Sequence, residues 1–211
     1  MKFETLRNDY QLQQLHRDQM QASPFDQFSH WFEQARNAQL REPNAMVLAT
    51  VDDQCRPSQR NVLLKHVDRD GFIFFTNRAS RKAIQIDANS AVSLLFCWLG
   101  LERQVSISGS AEPFSRMEVV KYFTKRPRRS QLAAWASQQS RPIPSRSTLE
   151  ANFNLIKQQF KGLSVPTPKH WGGYRVKPDQ FEFWQGGSAR LHDRFIYRIA
   201  GDDWQLSRLA P

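Results

Sequence analysis

Cysteines and long apolar stretches are scarce in this chain, and each shortage argues against a class of protein. Only two cysteines, Cys55 and Cys97, occur among 211 residues, without C-x-x-C or zinc-type spacing. We interpret them as free thiols, which argues against a disulfide-stabilised secreted fold. No apolar run approaches the roughly 18 residues of a membrane-spanning helix. The first residues lack the apolar segment of a signal peptide, so we expect a cytoplasmic protein.

Several common catalytic motifs are also missing. The sequence contains no G-x-G-x-x-G fingerprint, no P-loop, no G-x-S-x-G elbow and no H-E-x-x-H helix. A dinucleotide-binding fold and a serine hydrolase are therefore disfavoured. The five histidines show no metal-ligand spacing, so we expect no metal site.

Acidic residues are outnumbered, 20 against 30 lysines and arginines, which gives a net charge of +10. Such a surplus suits an anionic partner, which could be nucleic acid, an acidic surface or a phosphorylated small molecule. Arginines occur singly or in pairs beside polar residues, a pattern that favours discrete phosphate contacts by the planar guanidinium group. A basic barrel that stacks nucleic-acid bases on exposed aromatic rings is the alternative from another class.

The hydrophobic pattern predicts mainly antiparallel β structure with inserted helices. Short turns between strands favour an antiparallel barrel or sandwich over βαβ units. We predict one barrel domain over residues 1–211, with 1–21 as a loosely held arm. Ser23-Pro24 is typical of a helix start. Strands are predicted at 45–51, 58–66, 72–76, 91–98, 103–111, 171–176, 180–185, 190–199 and 204–209, and helices from 24 to before Pro43 and at 80–89, 115–125, 129–137 and 148–160.

The strand predicted at 190–199 carries an unusual set of cations. Because side chains two apart share a strand face, Arg190, His192 and Arg194 are expected on one side. Three potentially positive groups in a row repel one another unless an anion lies against them. A solvated edge strand is the equally weighted alternative, since alternating charge is common on one-sided sheets.

Two further segments have the composition of phosphate sites. Arg81 and Lys82 follow Ser80 in the first turn of a predicted helix, where cations oppose the helix dipole and a bound anion would resolve the conflict. Tyr122, Arg126 and Ser130 are spaced four apart, so they fall on one helix face, although Pro127 must start a new helix. A solvated basic face is the alternative there.

Other polar residues carry weaker signals. Arg60 and Lys65 point to opposite faces of an ideal strand, so a bulge or the strand end must bring them together if they share a site. Gln104, at a strand start, could serve the amide edge of a heterocycle. Gln139 and Ser140 form a loop that could contact a phosphate.

The order and spacing of these pieces resemble the pyridoxamine 5'-phosphate oxidase family over essentially the whole chain. The resemblance implies a Greek-key split β-barrel homodimer with FMN at the subunit interface, and pyridoxamine or pyridoxine 5'-phosphate as substrate. The matching pieces are Gln59–Lys65, Ser80-Arg81-Lys82, Glu102–Val105, Lys121-Tyr122-Phe123, Arg126-Pro127-Arg128, Phe183–Gly187 and Arg190–Arg194.

The resemblance also implies residue roles. Arg60, Arg81, Lys82 and Ser140 would hold the FMN phosphate, while Gln104, Trp184 and Arg194 would meet the flavin ring. Phe75 stands where relatives often have tyrosine, so a hydroxyl contact there would be lost. The implied FMN-binding positions are Arg60, Asn61, Val62, Leu63, Leu64, Lys65, Phe75, Thr76, Arg81, Lys82, Gln104, Gln139, Ser140, Trp184 and Arg194, and the implied substrate-binding positions are Arg7, Tyr10, Lys65, Tyr122, Arg126, Ser130, Arg190 and His192.

The implied chemistry is a two-electron oxidation at C4′ of the substrate, with dioxygen reduced to hydrogen peroxide. Arg190 and His192 would be the catalytic pair. Arg190 would hold the pyridine ring and stabilise developing charge, but its guanidinium stays protonated and cannot act as a general base. A non-catalytic flavin- or pyridoxal-phosphate-binding barrel is the second alternative.

Overall fold

The fold is built around one nine-stranded antiparallel sheet, seen in a computed structural model that describes residues 9–211. Within these residues one α-helix precedes the first strand and four lie between strands. The strands are β1 (Ala45–Val51), β2 (Pro57–Leu63), β3 (His66–Asp68), β4 (Gly71–Asn77), β5 (Ala91–Trp98), β6 (Arg103–Pro113), β7 (Trp171–Gln185), β8 (Asp193–Ala200) and β9 (Asp203–Leu209), and the helices are α1 (Pro24–Asn37), α2 (Arg81–Ala88), α3 (Arg116–Lys125), α4 (Arg128–Ala136) and α5 (Arg146–Gln159).

The sheet curls into a partly open barrel. Its strand order is β2-β1-β5-β6-β7-β4-β3, and β8 and β9 extend from β7. Strand β2, at one end of this order, also contacts β4 near the other end. Every strand pair is antiparallel, which confirms the predicted barrel.

Helix α1 fills the inside of the curled sheet. Ser23 caps it by accepting a hydrogen bond from the Phe25 amide, and Pro24 occupies its first turn, as predicted. Phe28, Trp31 and Ala35 recur at helical spacing and are buried. Phe28 packs edge-on against Phe72 and Phe96, with ring centroids 4.9 Å apart in both pairs. The sheet and α1 therefore share one aromatic core.

Helices α3, α4 and α5 lie outside this core and form a second apolar cluster. Phe123, Leu132, Phe160 and Val165 are its main buried members. Helix α5 itself has no buried residue between Arg146 and Gln159. These helices lie between β6 and β7 in sequence, and they pack mainly on one another and on the start of β7, where Trp171 joins the cluster.

Three strand predictions need correction. The strand predicted at 58–66 ends at Leu63, and His66–Asp68 is a separate strand paired with β4. The two predicted strands 171–176 and 180–185 are one continuous strand, because Pro178 lies at a register shift opposite Gly109 and does not break it. The strand predicted from residue 190 begins only at Asp193.

No helix of the described chain, residues 9–211, is long and apolar enough to cross a membrane.

The aromatic core predicts a large effect of truncating Phe28. Phe28→Ala should lower the free energy of unfolding by about 3–5 kcal/mol, because it removes a buried ring and leaves a cavity between α1 and the sheet. Chemical denaturation at one protein concentration measures this. Ser29→Ala, one position along on the exposed face of α1, is the control and should change stability by less than about 0.5 kcal/mol. Equal effects of the two substitutions would contradict this packing.

Candidate active site

The main candidate site is a cavity of about 800 Å³ where β2 approaches β4 and the helices. Its wall comes from β2, the end of β4, the first turn of α2, the α3–α4 junction and a loop after α4. The lining residues are Ser58, Gln59, Arg60, Asn61, Val62, Leu63, Lys65, Phe75, Thr76, Arg81, Lys82, Tyr122, Lys125, Arg126, Pro127, Ser130, Gln139, Ser140 and Trp171. Fourteen of the predicted site residues thus share one cavity.

Arg60 is fixed by neutral oxygen atoms. Its guanidinium donates to the Leu48 carbonyl at 3.0 Å, the Thr50 hydroxyl at 2.6 Å and the Ser58 hydroxyl at 2.7 Å. Gln85, from α2, accepts hydrogen bonds from the same two hydroxyls at 2.6 and 2.8 Å. Among the described residues no carboxylate pairs with Arg60, so its positive charge stays available to a ligand.

Arg81 and Lys82 stand at the start of α2, as predicted. The first turn of α2 contains no acidic residue, and Ser80 makes no side-chain cap. Lys82 is only 8% exposed, and its ammonium donates to Thr76 at 3.3 Å and to Gln139 at 3.4 Å. Burial, with a smaller contribution from the charge of Arg60, lowers the pKa of Lys82 to about 8. Such a cluster of cations at a helix start suits a phosphate group.

The α3–α4 junction supplies a second group of donors. The helix ends before Arg126-Pro127, as predicted, and a new helix begins after it. Tyr122, Arg126 and Ser130 nevertheless all line the cavity. The Arg126 guanidinium lies 4.1 Å from the centroid of the Trp171 ring. Within residues 9–211, the Arg126 Nη1 and Trp171 Nε1 atoms are buried without a hydrogen-bond partner. Two buried donors facing one cavity are the pattern expected where an anionic ligand completes the hydrogen bonding.

Lys65 and Phe75 complete this side of the cavity. Strand β2 ends at Leu63, so Lys65 is free of the strand alternation and can share the cavity with Arg60. Of the two possibilities given by the sequence, a bulge or the strand end, the strand end is the one that brings Lys65 and Arg60 to one cavity. The Phe75 ring stacks on Tyr122 with centroids 3.8 Å apart and planes within 6°. Burial raises the pKa of the Tyr122 hydroxyl, which therefore stays a hydrogen-bond donor at neutral pH.

A second group of predicted residues lies at the end of β7. Tyr10 packs edge-on against Trp184 with centroids 5.7 Å apart, and His192 lies 4.7 Å from Trp184. The His192 Nδ1 atom accepts a hydrogen bond from the Gly187 amide at 3.1 Å, which leaves Nε2 to carry the proton of the neutral ring. Arg7 lies outside the described residues.

The predicted alignment of Arg190, His192 and Arg194 on one strand face is wrong. Ser188–Arg190 forms a 3₁₀ turn, and both Ala189 and Arg190 have left-handed backbone angles, with φ of 51° and 65°. The period-two argument fails because residue 190 precedes the strand. Arg190 is instead exposed beside the hairpin.

Three other predicted residues have clear positions. Gln104, in β6, lies directly opposite Trp184 in the neighbouring strand β7. The Arg194 Nε atom donates to Glu182 at 2.8 Å, and its Nη1 atom donates to the Ala210 carbonyl at 2.9 Å. The Leu64 side chain is buried in the core, so any ligand contact from this residue would have to come from its backbone.

Arg60 and Gln104 lie on opposite faces of the sheet. Arg60 pairs with Leu48 and so shares the core-facing side, whereas Gln104 alternates with buried Arg103 and Val105 and points outward. Strands β1 and β5 also separate β2 from β6 in the sheet order. Within one chain, neither Gln104 nor Trp184 lines the cavity.

Sequence reasoning missed Gln85, Trp171 and Lys125. Gln85 acts only through Arg60, and a buried glutamine inside a helix carries no spacing signal. Trp171 and Lys125 line the cavity through tertiary packing of α3 against the start of β7. Lys125 belongs to a run of basic residues, and the sequence alone does not distinguish a solvent-exposed lysine in such a run from one that faces a ligand.

Comparison with known proteins covers the whole chain. The sequence model of the family described as "Pyridoxamine 5'-phosphate oxidase" matches residues 32–160. The model described as "Pyridoxine 5'-phosphate oxidase C-terminal dimerisation region" matches residues 171–211. The first match begins within α1 and contains α2 to α5 and β1 to β6, and β7 to β9 fall in the second match.

Individual relatives agree with these matches. Proteins named pyridoxine/pyridoxamine 5'-phosphate oxidase from Shewanella sediminis and Shewanella halifaxensis are 53% and 52% identical, over 100% and 98% of this chain and 99% and 97% of theirs. A crystal structure of PhzG from Burkholderia lata 383, in complex with tetrahydrophenazine-1-carboxylic acid, has a TM-score of 0.88 at 32% identity and covers 93% of this chain and 98% of its own. A pyridoxamine 5'-phosphate oxidase-related, FMN binding protein from Nostoc punctiforme shares the fold, with a TM-score of 0.72 at 16% identity over 91% of this chain and all of its own.

The buried charge of Lys82 predicts a stability effect that depends on pH. Its pKa of about 8 in the folded chain lies below the usual 10.5, so the unfolded chain binds more protons between those values and the free energy of unfolding rises with pH across this window. Lys82→Met should therefore stabilise the ligand-free protein at pH 7 by at least about 1 kcal/mol, and the gain should shrink by pH 9.5.

Denaturation at the two pH values measures the difference. Lys65→Met, which removes an exposed lysine at the same cavity, is the control and should be nearly neutral at both. A destabilised Lys82→Met protein at pH 7 would show that the charge is already compensated.

Proposed function

The chain belongs to the pyridoxamine 5'-phosphate oxidase family, and we propose that it oxidises pyridoxamine or pyridoxine 5'-phosphate to pyridoxal 5'-phosphate, using FMN and reducing dioxygen to hydrogen peroxide. With pyridoxamine 5'-phosphate the oxidised product is an imine, which water hydrolyses to the aldehyde with release of ammonia. The observation that carries the proposal is the cavity of about 800 Å³ that two sets of cations line. One set is Arg60, Arg81 and Lys82, and the other is Lys65 and Arg126. A flavin mononucleotide and a phosphorylated substrate each need one such set.

The first set fits the phosphate of FMN. Arg60 is held in place by three neutral oxygens, Lys82 is almost buried, and the start of α2 adds free backbone N–H groups. Ser140 and Gln139 line the same region from their loop. Bound FMN would supply the two-electron redox chemistry, which no side chain of the site can perform.

The second set fits the phosphate of the substrate. Lys65, Tyr122, Arg126 and Ser130 line the cavity together with Trp171. Among residues 9–211, the buried Arg126 Nη1 and Trp171 Nε1 donors have no hydrogen-bond partner. A phosphate there would satisfy the guanidinium and accept from the Tyr122 hydroxyl. Fixing both phosphates would hold the two reactants face to face and remove most of the entropy cost of their encounter.

Arg190 and His192 would act on the pyridine ring of the substrate. Arg190 carries a guanidinium group, so it can bind the ring and stabilise negative charge that develops on it. His192 presents Nε2 because Gly187 holds its Nδ1 atom. Tyr10 packs against the same Trp184–His192 pair and would cover the substrate.

A homodimer would bring the two groups of residues together. Gln104 and Trp184 do not line the cavity of their own chain, and they face outward from the sheet. The outer face of β1 and β5 carries small or apolar side chains, including Ala45, Val47, Ala49 and Leu95, which suits packing against a second copy. The C-terminal match to a dimerisation region supports the same assembly. Each active site would take its phosphate cavity from one protomer and its Trp184 end from the other.

The oxidase assay is the direct test. The purified protein should be yellow, release flavin on denaturation, and produce one peroxide for each pyridoxal 5'-phosphate formed from either substrate. A flavin-containing protein that makes no peroxide with either substrate would instead be a non-catalytic carrier. A nucleic-acid-binding role is not favoured, because the full-length relatives carry the oxidase name.

Arg190 provides the sharpest test of the ring contacts. Arg190→Ala should lower kcat/KM by about a hundredfold or more, because it removes the cation over the pyridine, while the FMN content stays unchanged. Arg198→Ala, in β8 and exposed, removes an arginine that donates a hydrogen bond to Gln180, and it should leave kcat/KM within about twofold. An unchanged kcat/KM for Arg190→Ala would remove this residue from the catalytic set.

The shared active site predicts complementation between two inactive variants. Arg81→Ala with Lys82→Ala should lose FMN, and Arg190→Ala should keep FMN but lose activity. A heterodimer of the two, isolated through two different tags, would contain one site with no substitution and one site with all of them. It should therefore recover about half of the wild-type activity per dimer. Activity no higher than that of the parent variants would place both groups of residues in the same protomer.

A further inference from the structure

Arg103 occupies a position that the sheet pattern reserves for apolar residues. In β6 the side chains of Arg103, Val105 and Ile107 alternate onto the core face, and Arg103 is only 6% exposed. The Trp31 ring lies beneath its guanidinium, 4.4 Å away. A buried arginine normally has an acidic partner, because an uncompensated charge is costly in an apolar environment.

Three glutamines hold this guanidinium. The Arg103 Nε atom donates to Gln185 at 2.7 Å, Nη2 donates to Gln13 at 2.6 Å, and Nη1 donates to Gln34. They come from β7, the segment before α1, and α1 itself. In the described chain no carboxylate lies within ion-pair distance of Arg103. Burial lowers the pKa of the guanidinium to about 10, so it remains charged at neutral pH.

The amide orientations are set by independent contacts. The Gln185 Nε2 atom donates to the Leu101 and Glu102 carbonyls at 3.2 and 3.3 Å, which turns its oxygen toward Arg103. The Gln34 Nε2 atom contacts His30 at 3.1 Å. Gln185 and Gln34 are therefore fixed parts of the folded protein. Gln13, whose residue is exposed, is the one member on a segment without regular structure.

The segment of Gln13 leads directly to the candidate active site. Residues 9–16, here called the docking segment, carry Tyr10, whose ring packs on Trp184 and His192. The Leu12 amide donates to Glu102 at 3.0 Å, and the Leu15 amide donates to Asp193 at 2.9 Å. The pair Arg103–Gln185 also lies beside the pair Gln104–Trp184 in the β6–β7 ladder. One guanidinium thus links the docking segment to the strand ends that carry the predicted ring contacts.

We propose that Arg103 is a positioning residue that holds the docking segment over the Trp184–His192 end of the site through its hydrogen bond to Gln13. A neutral amide on a buried cation gives a strong, charge-assisted hydrogen bond without the tighter hold of an ion pair. The segment is therefore held firmly enough to place Tyr10 and loosely enough to release it. The catalytic consequence, a contribution to substrate binding, rests on the proposed function, whereas the docking itself does not.

Substitutions of Gln13 test the proposal in the flavin-loaded, full-length protein. Hydrogen exchange of the Leu12 and Leu15 amides reports docking directly. Gln13→Ala should speed this exchange by about tenfold, because it removes a hydrogen bond to a charged group. Gln13→Glu gives the guanidinium a carboxylate and should slow the exchange below the wild-type rate. Gln14→Ala, the exposed neighbour, is the matched control and should behave as the wild type.

Kinetics with pyridoxine 5'-phosphate provide the second readout. Gln13→Ala should raise KM several-fold and leave kcat within about twofold, since Tyr10 is displaced but the reacting groups are not. Exchange in Gln13→Ala equal to that in Gln14→Ala would overturn the proposal, as would exchange in Gln13→Glu as fast as in Gln13→Ala. If the exchange order holds but no variant, including the wild type, oxidises the substrate, the docking role stands and the proposed function fails.

Discussion

Positive charge held away from acidic partners is the constraint on which this structure depends. Arg60, Lys82 and Arg126 are partly or largely buried at one cavity. Arg103 is buried at the start of β6, away from that cavity. Neutral oxygens or aromatic rings contact each of these cations and fix the orientation of its side chain. Buried cations without acidic partners lower the free energy of unfolding of the ligand-free protein. The continuous sheet and the aromatic core around α1 supply the stability that offsets this loss.

The curled sheet divides the predicted site residues into two groups. Side-chain alternation sends Arg60 to one face and Gln104 to the other, and no rotamer change can move a side chain through a sheet. A ligand that needs both groups would meet them in an assembly of two chains. Catalysis in the proposed oxidase would then depend on protein concentration wherever the dimer dissociates.

Local patterns predicted most of the fold. Ser23-Pro24 predicted the start of α1, because helix capping is set by neighbours in sequence. The cations near Ser80 and Arg126 that line the cavity were singled out from similar local signals, a charge at a helix start and a spacing of four residues. Arg190 was misplaced because a two-residue left-handed turn has no signature when neither residue is glycine. Gln85 and the Arg103 cluster could not be found, since their roles arise from contacts between segments up to 90 residues apart.

The turn before β8 constrains how this chain can change during evolution. A Cβ atom on Gly187 would lie 2.3 Å from the Leu191 carbonyl oxygen, and Ala189 and Arg190 both occupy left-handed conformations. The backbone at Gly187 therefore lies close to the backbone at Leu191, and the number of residues between them fixes the path of the loop. Inserting or deleting one residue between Gly187 and Asp193 would redirect Arg190 even if every side chain were kept. Among barrels of this architecture, the length of this loop should separate lineages that retain the chemistry from those that have lost it.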